Sequence, residues 1–209
     1  MAKDRKKVTF ARVKNALKPK DRILIVCEDS KRSVEYFLAF IEDLGINKTI
    51  ATVKIIGQKP SRNKPETILE DVNNVISKDM SRYGKENCYD RVYCVFDKDK
   101  HPCFDKVRET LKMEDRIIDS SSSPCFEFWL LLHFKNTSKS LSSKEILKEL
   151  KKQIKNYIKQ KSSYKKLYFD QLRDKTDTAI NNAKNIKETN CSYTNVYLIA
   201  RDLLKLSKM

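Results

Sequence analysis

Glycine is nearly absent from this chain, with three residues in 209. So little glycine, together with long Lys/Glu-rich segments in the second half, argues against a β-sandwich or barrel and for helices. Six cysteines occur, at 27, 88, 94, 103, 125 and 191, but no two form a CxxC pair, which argues against a zinc ribbon. Cys27, Cys94 and Cys125 lie in or beside apolar runs, where a free thiol acts as a small hydrophobe. No run has the length and apolarity of a membrane span, and the basic opening "MAKDRKKVTFARVKNALKPKDR" lacks the apolar centre of a signal peptide. The expectation is a reduced, cytoplasmic protein that does not enter a membrane. Repeats and long low-complexity tracts are also lacking.

What is present is a 40% apolar content, enough for a core, and a large positive charge. The length fits one large domain, or one domain with an appendage. Lys plus Arg outnumber Asp plus Glu by 44 to 28, a formal net charge of +16. Either the surface is simply Lys-rich, or the partner is DNA or RNA, whose phosphates Lys and Arg bind without regard to sequence. Residues 1–20 read as a basic arm. The stretch "KKQIKNYIKQKSSYKK" is basic with interleaved tyrosines; it is read as a solvated helix face and loop, nucleic-acid contact being its other reading.

Residues 21–135 alternate between two periods. "RILIVCED" is a continuous apolar, β-branched run of the kind that suits a strand buried on both faces. "SVEYFLAFIEDLG" places Val34, Phe37, Leu38 and Ile41 at helical spacing, with Gly45 as a stop. A second strand at "TIATVKIIG" leads through a basic loop to a helix with Pro65 at its start and Gly84 at its end. "DRVYCVFD", "FDKVRETLKM" and "DRIIDS" follow as strand, helix and short strand, and "CFEFWLLLHF" as an apolar helix. Helical crossovers between strands predict an open, mainly parallel α/β sheet with helices on both faces. From about residue 140 only helical patterns are read: residues 142–158, 176–189 and 192–207. The expected organisation is an arm (1–20), an α/β domain (21–135) and a basic helical extension packed on it (136–209).

In open parallel sheets, ligands bind beyond the carboxyl ends of the strands. Two apolar strands end in acids there: the first in Glu28 and Asp29, the third in Asp97 and Asp99. If these strands are neighbours, the carboxylates converge and call for a cation; hard oxygen ligands select Mg²⁺ or Mn²⁺. Residues two apart just past a strand can aim to one side, so Asp97 and Asp99 could share an ion with Glu28 across the gap. The plainer reading of Asp97 and Asp99 is a turn or helix cap. An Asp nucleophile of the haloacid-dehalogenase (HAD-like) phosphatase type fits less well, because Lys100 and His101 follow the motif and the strand is the third. Manganese-dependent sugar-nucleotide transferases share D-x-D, and nothing else here suits them. Lys31, at a helix start, and His101, after D-x-D, are candidates to contact phosphate. Glu127, among Phe126, Phe128 and Trp129, is a carboxylate needing a partner, whereas His133 reads as a packed core residue.

Three stretches, "ILIVCEDSKRSVEYF", "VYCVFDKDKH" and "SSSPCFEFWLLLHF", resemble the RloB-like proteins in order and spacing. The family's versions read ILIVCEGEKTEPxYF, VFDxDxH and SNPCFExWLLLHF. The resemblance spans residues 22–134 and implies a Toprim-like fold, with Glu28, Asp97 and Asp99 forming a magnesium site. The family's Lys falls on Lys31 and the Glu of its third motif on Glu127, which would add a ligand or an acid/base group. It further implies a metal-dependent nuclease of a bacterial antiphage system, cutting DNA or RNA, tRNA included, and often encoded beside an ABC- or AAA-type ATPase. A non-catalytic nucleic-acid-binding or regulatory subunit of the same fold is the alternative. The chain departs from the pattern at the family's Gly, here Asp29, and at E-K-T-E-P, here Ser30-Lys31-Arg32-Ser33-Val34. The second acid of that motif, which in related nucleases helps to hold a second metal, is absent at Ser33; Asp29 and Glu35 are its candidate substitutes.

Overall fold

The structure is a computed structural model and describes residues 21–47, 50–59, 61, 64–84, 88–99, 101–155, 157, 163–188 and 192–209. The basic arm and Cys191 lie outside these. Four parallel strands form the central sheet: β1 (Asp21–Cys27), β2 (Ala51–Gly57), β3 (Arg91–Val95) and β4 (Ile117–Asp119), in the order β2-β1-β3-β4. The chain winds one way from β1 to β2 and the other way from β3 to β4. The order therefore reverses between β1 and β3, and Cys27 pairs with Val95 at that junction.

The continuous apolar runs are explained by burial on both faces. In β1, Ile23, Ile25 and Cys27 join one apolar cluster, and Leu24 and Val26 the other. The second face is covered by α2 (Ile68–Tyr83) and α3 (Phe104–Lys112). The first is covered by α1 (Arg32–Leu44), α4 (Glu127–Leu132) and the C-terminal helices α5 (Ser143–Gln153), α6 (Tyr164–Leu167), α7 (Thr176–Lys184) and α8 (Val196–Ser207). One apolar cluster thus runs from the sheet through the C-terminal helices.

Element signals worked where they had a cause. Gly45 ends α1 in the left-handed conformation with φ 54°, and Gly84 ends α2 with a positive φ of 89°, both of which glycine adopts without a Cβ clash. Pro65 opens a 3₁₀ turn, Pro65–Thr67, ahead of α2. In α4, Phe128 to Leu132 are all fully buried. At about 1.5–3 kcal/mol for each large apolar side chain taken out of water, this short helix is pinned at the centre of the molecule.

Three expectations are corrected. The C-terminal third is not wholly helical: Tyr193–Thr194 forms β6, antiparallel to β5 (Ser122–Ser123), and α8 begins only at Val196. The helix expected over 142–158 ends at Gln153, because Ile154 turns to extended backbone and buries its side chain. The tyrosines of the basic stretch are core residues: Tyr157 and Tyr164 are buried and their hydroxyls meet at 2.8 Å. Residues 158–162 of that stretch lie outside the described residues. Cys27 and Cys94 are buried free thiols, Cys88 and Cys103 are free, and Cys125 is buried in the core.

Candidate functional site

The two acid-bearing strand ends are adjacent. Glu28 N–H donates to the Val95 carbonyl at 2.8 Å, and Asp97 N–H donates to Glu28 Oε2 at 3.0 Å. Asp97 continues the parity of Tyr93 and Val95, so it lies on the face covered by α1 and α4. A bridge to Ser122 and the Lys98 N–H bond to the Ser122 carbonyl extend β3 past its last strand residue. The chain then turns at Asp99, whose φ of 33° is tolerated by Asp better than by most side chains. Asp99 N–H is held by the Pro124 carbonyl, and Ser143 Oγ, at the start of α5, donates to Asp99 Oδ1 at 3.4 Å.

Glu28, Asp29, Arg32, Asp97, Asp99 and His101 line one small cavity of about 70 Å³. His101 Nε2 lies 3.5 Å from Glu28 Oε1. A wider open groove of about 670 Å³ shares Asp99 and His101 and runs past Pro124 to Ser142, Ser143 and Lys144. Asp97 and Asp99 are therefore not only turn residues; they line the cavity at the sheet's switch point, where α/β folds bind ligands.

Electrostatics mark the same spot. The Asp97 carboxyl is held well above the usual range, first by burial and then by the charge of Glu127, with Arg32 opposing the shift and Asp99 and Glu28 adding to it. Glu28 is also raised, again chiefly by burial; the Asp97 N–H and His101 pull it back down. Oxygen donors of this kind are the type that suits a hard divalent cation. Among the described residues, no three His, Cys, Asp or Glu side chains are close enough together to hold an ion as they stand. One reason is visible: Asp99 is turned toward Ser143 and Glu127 toward Arg32.

Glu127 is fully buried at the start of α4 and accepts from Arg32 Nη1 at 3.0 Å and from the Tyr164 hydroxyl at 3.4 Å. Burial works against the Arg32 charge, yet Glu127, Asp97 and Asp29 outweigh it and keep the guanidinium firmly protonated. Lys31 is exposed at the α1 N-terminus and is not among the residues lining the cavity; its neighbour Arg32 is. Asp29 accepts the backbone N–H groups of Lys31 (2.9 Å) and Ser33 (3.2 Å) and the Ser33 hydroxyl, so it caps α1 while lining the cavity. Glu35, the other substitute for the missing acid, is turned away to the Tyr164 N–H at 2.8 Å. His133 is a core residue as expected, with Nδ1 3.0 Å from the Trp129 carbonyl.

Fold and site define an α/β protein with a Toprim-like open parallel sheet and an acidic cluster at its switch point. The family model for RloB-like proteins matches residues 23–203, and the chain belongs to that family. Comparison with curated proteins and with solved structures finds no match. Among the described residues, no helix is long and apolar enough to cross a membrane.

Proposed function

We propose that this chain is the nuclease of a bacterial antiphage system, an Mg²⁺- or Mn²⁺-dependent endonuclease that cuts phosphodiester bonds in DNA or RNA, tRNA included, together with an ABC- or AAA-type ATPase. The observation that carries the reading is the cavity at the β1–β3 switch point that Glu28, Asp97 and Asp99 line together, beside a wider open groove. These three residues would hold the ion. An ion bound there would supply positive charge to offset that of the phosphodiester as it is cut.

The remaining roles belong to the chain. Glu28 and Asp97, both pushed toward their protonated forms, give up protons as a cation binds. Glu127 acts through its ion pair, fixing Arg32 at the cavity wall. His101, partly exposed where cavity and groove meet, is placed to donate to a phosphate or leaving oxygen. Lys31, exposed at the helix start, would meet a phosphate farther along the polymer. The net charge of +16, spread over arm and helical tail, holds the polyanion.

Incubating the purified protein with Mg²⁺ or Mn²⁺ and a mixture of tRNA and duplex DNA, with and without the neighbouring ATPase, tests this. Cleavage is expected, and it should vanish in the Asp97→Ala/Asp99→Ala double variant; cleavage that survives places the chemistry elsewhere. A second reading, a nucleic-acid-binding or regulatory subunit without turnover, is favoured by the Arg32–Glu127 pair, which satisfies a buried carboxylate with a protein cation. Salt-dependent binding without cleavage under every condition would select it. Turnover of small phosphomonoesters through a phospho-Asp97 would select the HAD-like phosphatase.

A further inference from the structure

Arg32 has a place in the site that none of the three motifs announces. Five carboxylates gather at this edge of the sheet: Glu28, Asp29, Asp97, Asp99 and Glu127. A carboxylate as deeply buried as Glu127 persists when a positive charge and hydrogen bonds match it. Here that charge is the Arg32 guanidinium, 3.0 Å away, which also lines the cavity beside Asp29 and Asp97.

Two-ion phosphodiester sites set their cations roughly 3.5–4 Å apart, and a second ion needs oxygen donors beyond those that hold the first. In this chain the donors divide differently. Glu127 is committed to Arg32, and Asp29 to the N-terminus of α1. Glu28, Asp97 and Asp99 remain on the wall of the same cavity, three oxygen donors that would serve one ion once their side chains close on it. A guanidinium is always charged, is planar and pairs readily with phosphate, so it can serve as the other fixed positive charge.

We infer that Arg32 takes the place of a second divalent ion: the site binds one ion, and the guanidinium beside it faces the substrate phosphate. This deepens the nuclease reading and rests on it.

The test counts ions on the full chain by equilibrium dialysis with Mn²⁺ and by electron paramagnetic resonance. The wild type should bind one Mn²⁺ per chain with the spectrum of isolated ions. Arg32→Gln, checked for folding by circular dichroism, should bind two with a spin-coupled signal. Arg32→Lys, which keeps the charge, should bind one. A spin-coupled pair in the wild type overturns the inference, as does a folded Arg32→Gln protein that still binds one. If Arg32→Gln does not fold, the Lys variant decides: one ion supports the inference and two overturn it. A wild type that binds no Mn²⁺ sinks the metal-site reading underneath, a result distinct from the two-ion outcome that removes only the role of Arg32.

Discussion

Glu28 Oε2 accepts the backbone N–H of Asp97 at 3.0 Å, so the acid that ends β1 is fastened to the acid that follows β3. One carboxylate oxygen serves the fold, while the other, facing His101 at 3.5 Å, is left toward the cavity. Structure and chemistry can therefore be separated at one residue.

Glu28→Gln should separate them. The amide oxygen still accepts the Asp97 N–H, and one of several crowded charges is gone. Unfolding free energy in urea should shift by no more than about 0.5 kcal/mol, while Mn²⁺ affinity by calorimetry should fall by at least ~10-fold, about 1.4 kcal/mol. Glu28→Ala, which strands the N–H, should cost about 1–3 kcal/mol of stability. Equal Mn²⁺ affinity in wild type and Glu28→Gln would remove Glu28 from the ion site.

Asp97 makes the ion-free protein sensitive to pH in an unusual direction. Its folded pKa is raised, chiefly by burial and by Glu127, so the folded state holds this proton longer than the unfolded state does. Its contribution therefore favours folding in mild acid and is lost as pH rises from near the ordinary Asp value, about 3.9, to the raised one. In chelator, Asp97→Asn should melt higher than wild type at neutral pH, by on the order of 1 kcal/mol, and the gap should close toward acid. Mg²⁺, which binds the ionised form, should reverse the order at neutral pH. Wild type melting above Asp97→Asn in chelator at neutral pH would show that Asp97 is not destabilised there.

Much of this was legible in the sequence, for physical reasons. Strands buried on both faces leave unbroken apolar runs, so β1 and β3 stood out, and the acids at their ends could be placed once the strands were taken as neighbours. Gly45, Gly84 and Pro65 marked helix boundaries through backbone sterics. Arg32 was not legible, because its partner Glu127 is 95 residues away and no local period links them. Tyr157 and Tyr164 were misread for a related reason: lysines surround them in sequence, while their burial is decided by α1 and α4. The two-residue strands β5 and β6 are too short to leave an alternating pattern.

Gly57 has a spatial role that a strand glycine would not suggest. It ends β2 directly beneath the loop that follows β1; a Cβ there would lie 2.7 Å from the Asp29 carbonyl oxygen and 2.7 Å from Ser30 Cα. Both are backbone atoms and cannot swing aside. Gly57→Ala should destabilise by about 1–3 kcal/mol and, by displacing the loop that carries Glu28 and Asp29, weaken Mn²⁺ binding as well. Denaturant unfolding and calorimetry on the same preparation check both. Unchanged ion affinity together with lost stability would mean that the loop relaxes without moving the site.

His133, at the end of α4, gives the opposite pH dependence. Its ring is sealed among Tyr36, Trp129 and the α4 backbone, and burial pushes its pKa down to about 4. Nδ1 faces the Trp129 carbonyl at 3.0 Å, so that nitrogen carries the proton of the neutral ring, and Nε2 is left to accept from the Tyr36 hydroxyl. In the unfolded chain the imidazole titrates near its ordinary value of about 6.5, so acid favours unfolding below that point. The sign is fixed: stability attributable to His133 is whole above about pH 6.5 and is lost as pH falls to about 4, where the deficit is roughly 3 kcal/mol. In His133→Gln the side-chain amide can still donate to the Trp129 carbonyl but takes up no proton. The variant should be less stable at neutral pH, through imperfect packing, and its stability should decline less steeply than that of wild type between those two pH values. Because every carboxylate titrates alike in both proteins, the difference between the two urea-unfolding curves isolates this ring. Parallel curves would mean that His133 is reached by solvent and protonates in the folded state.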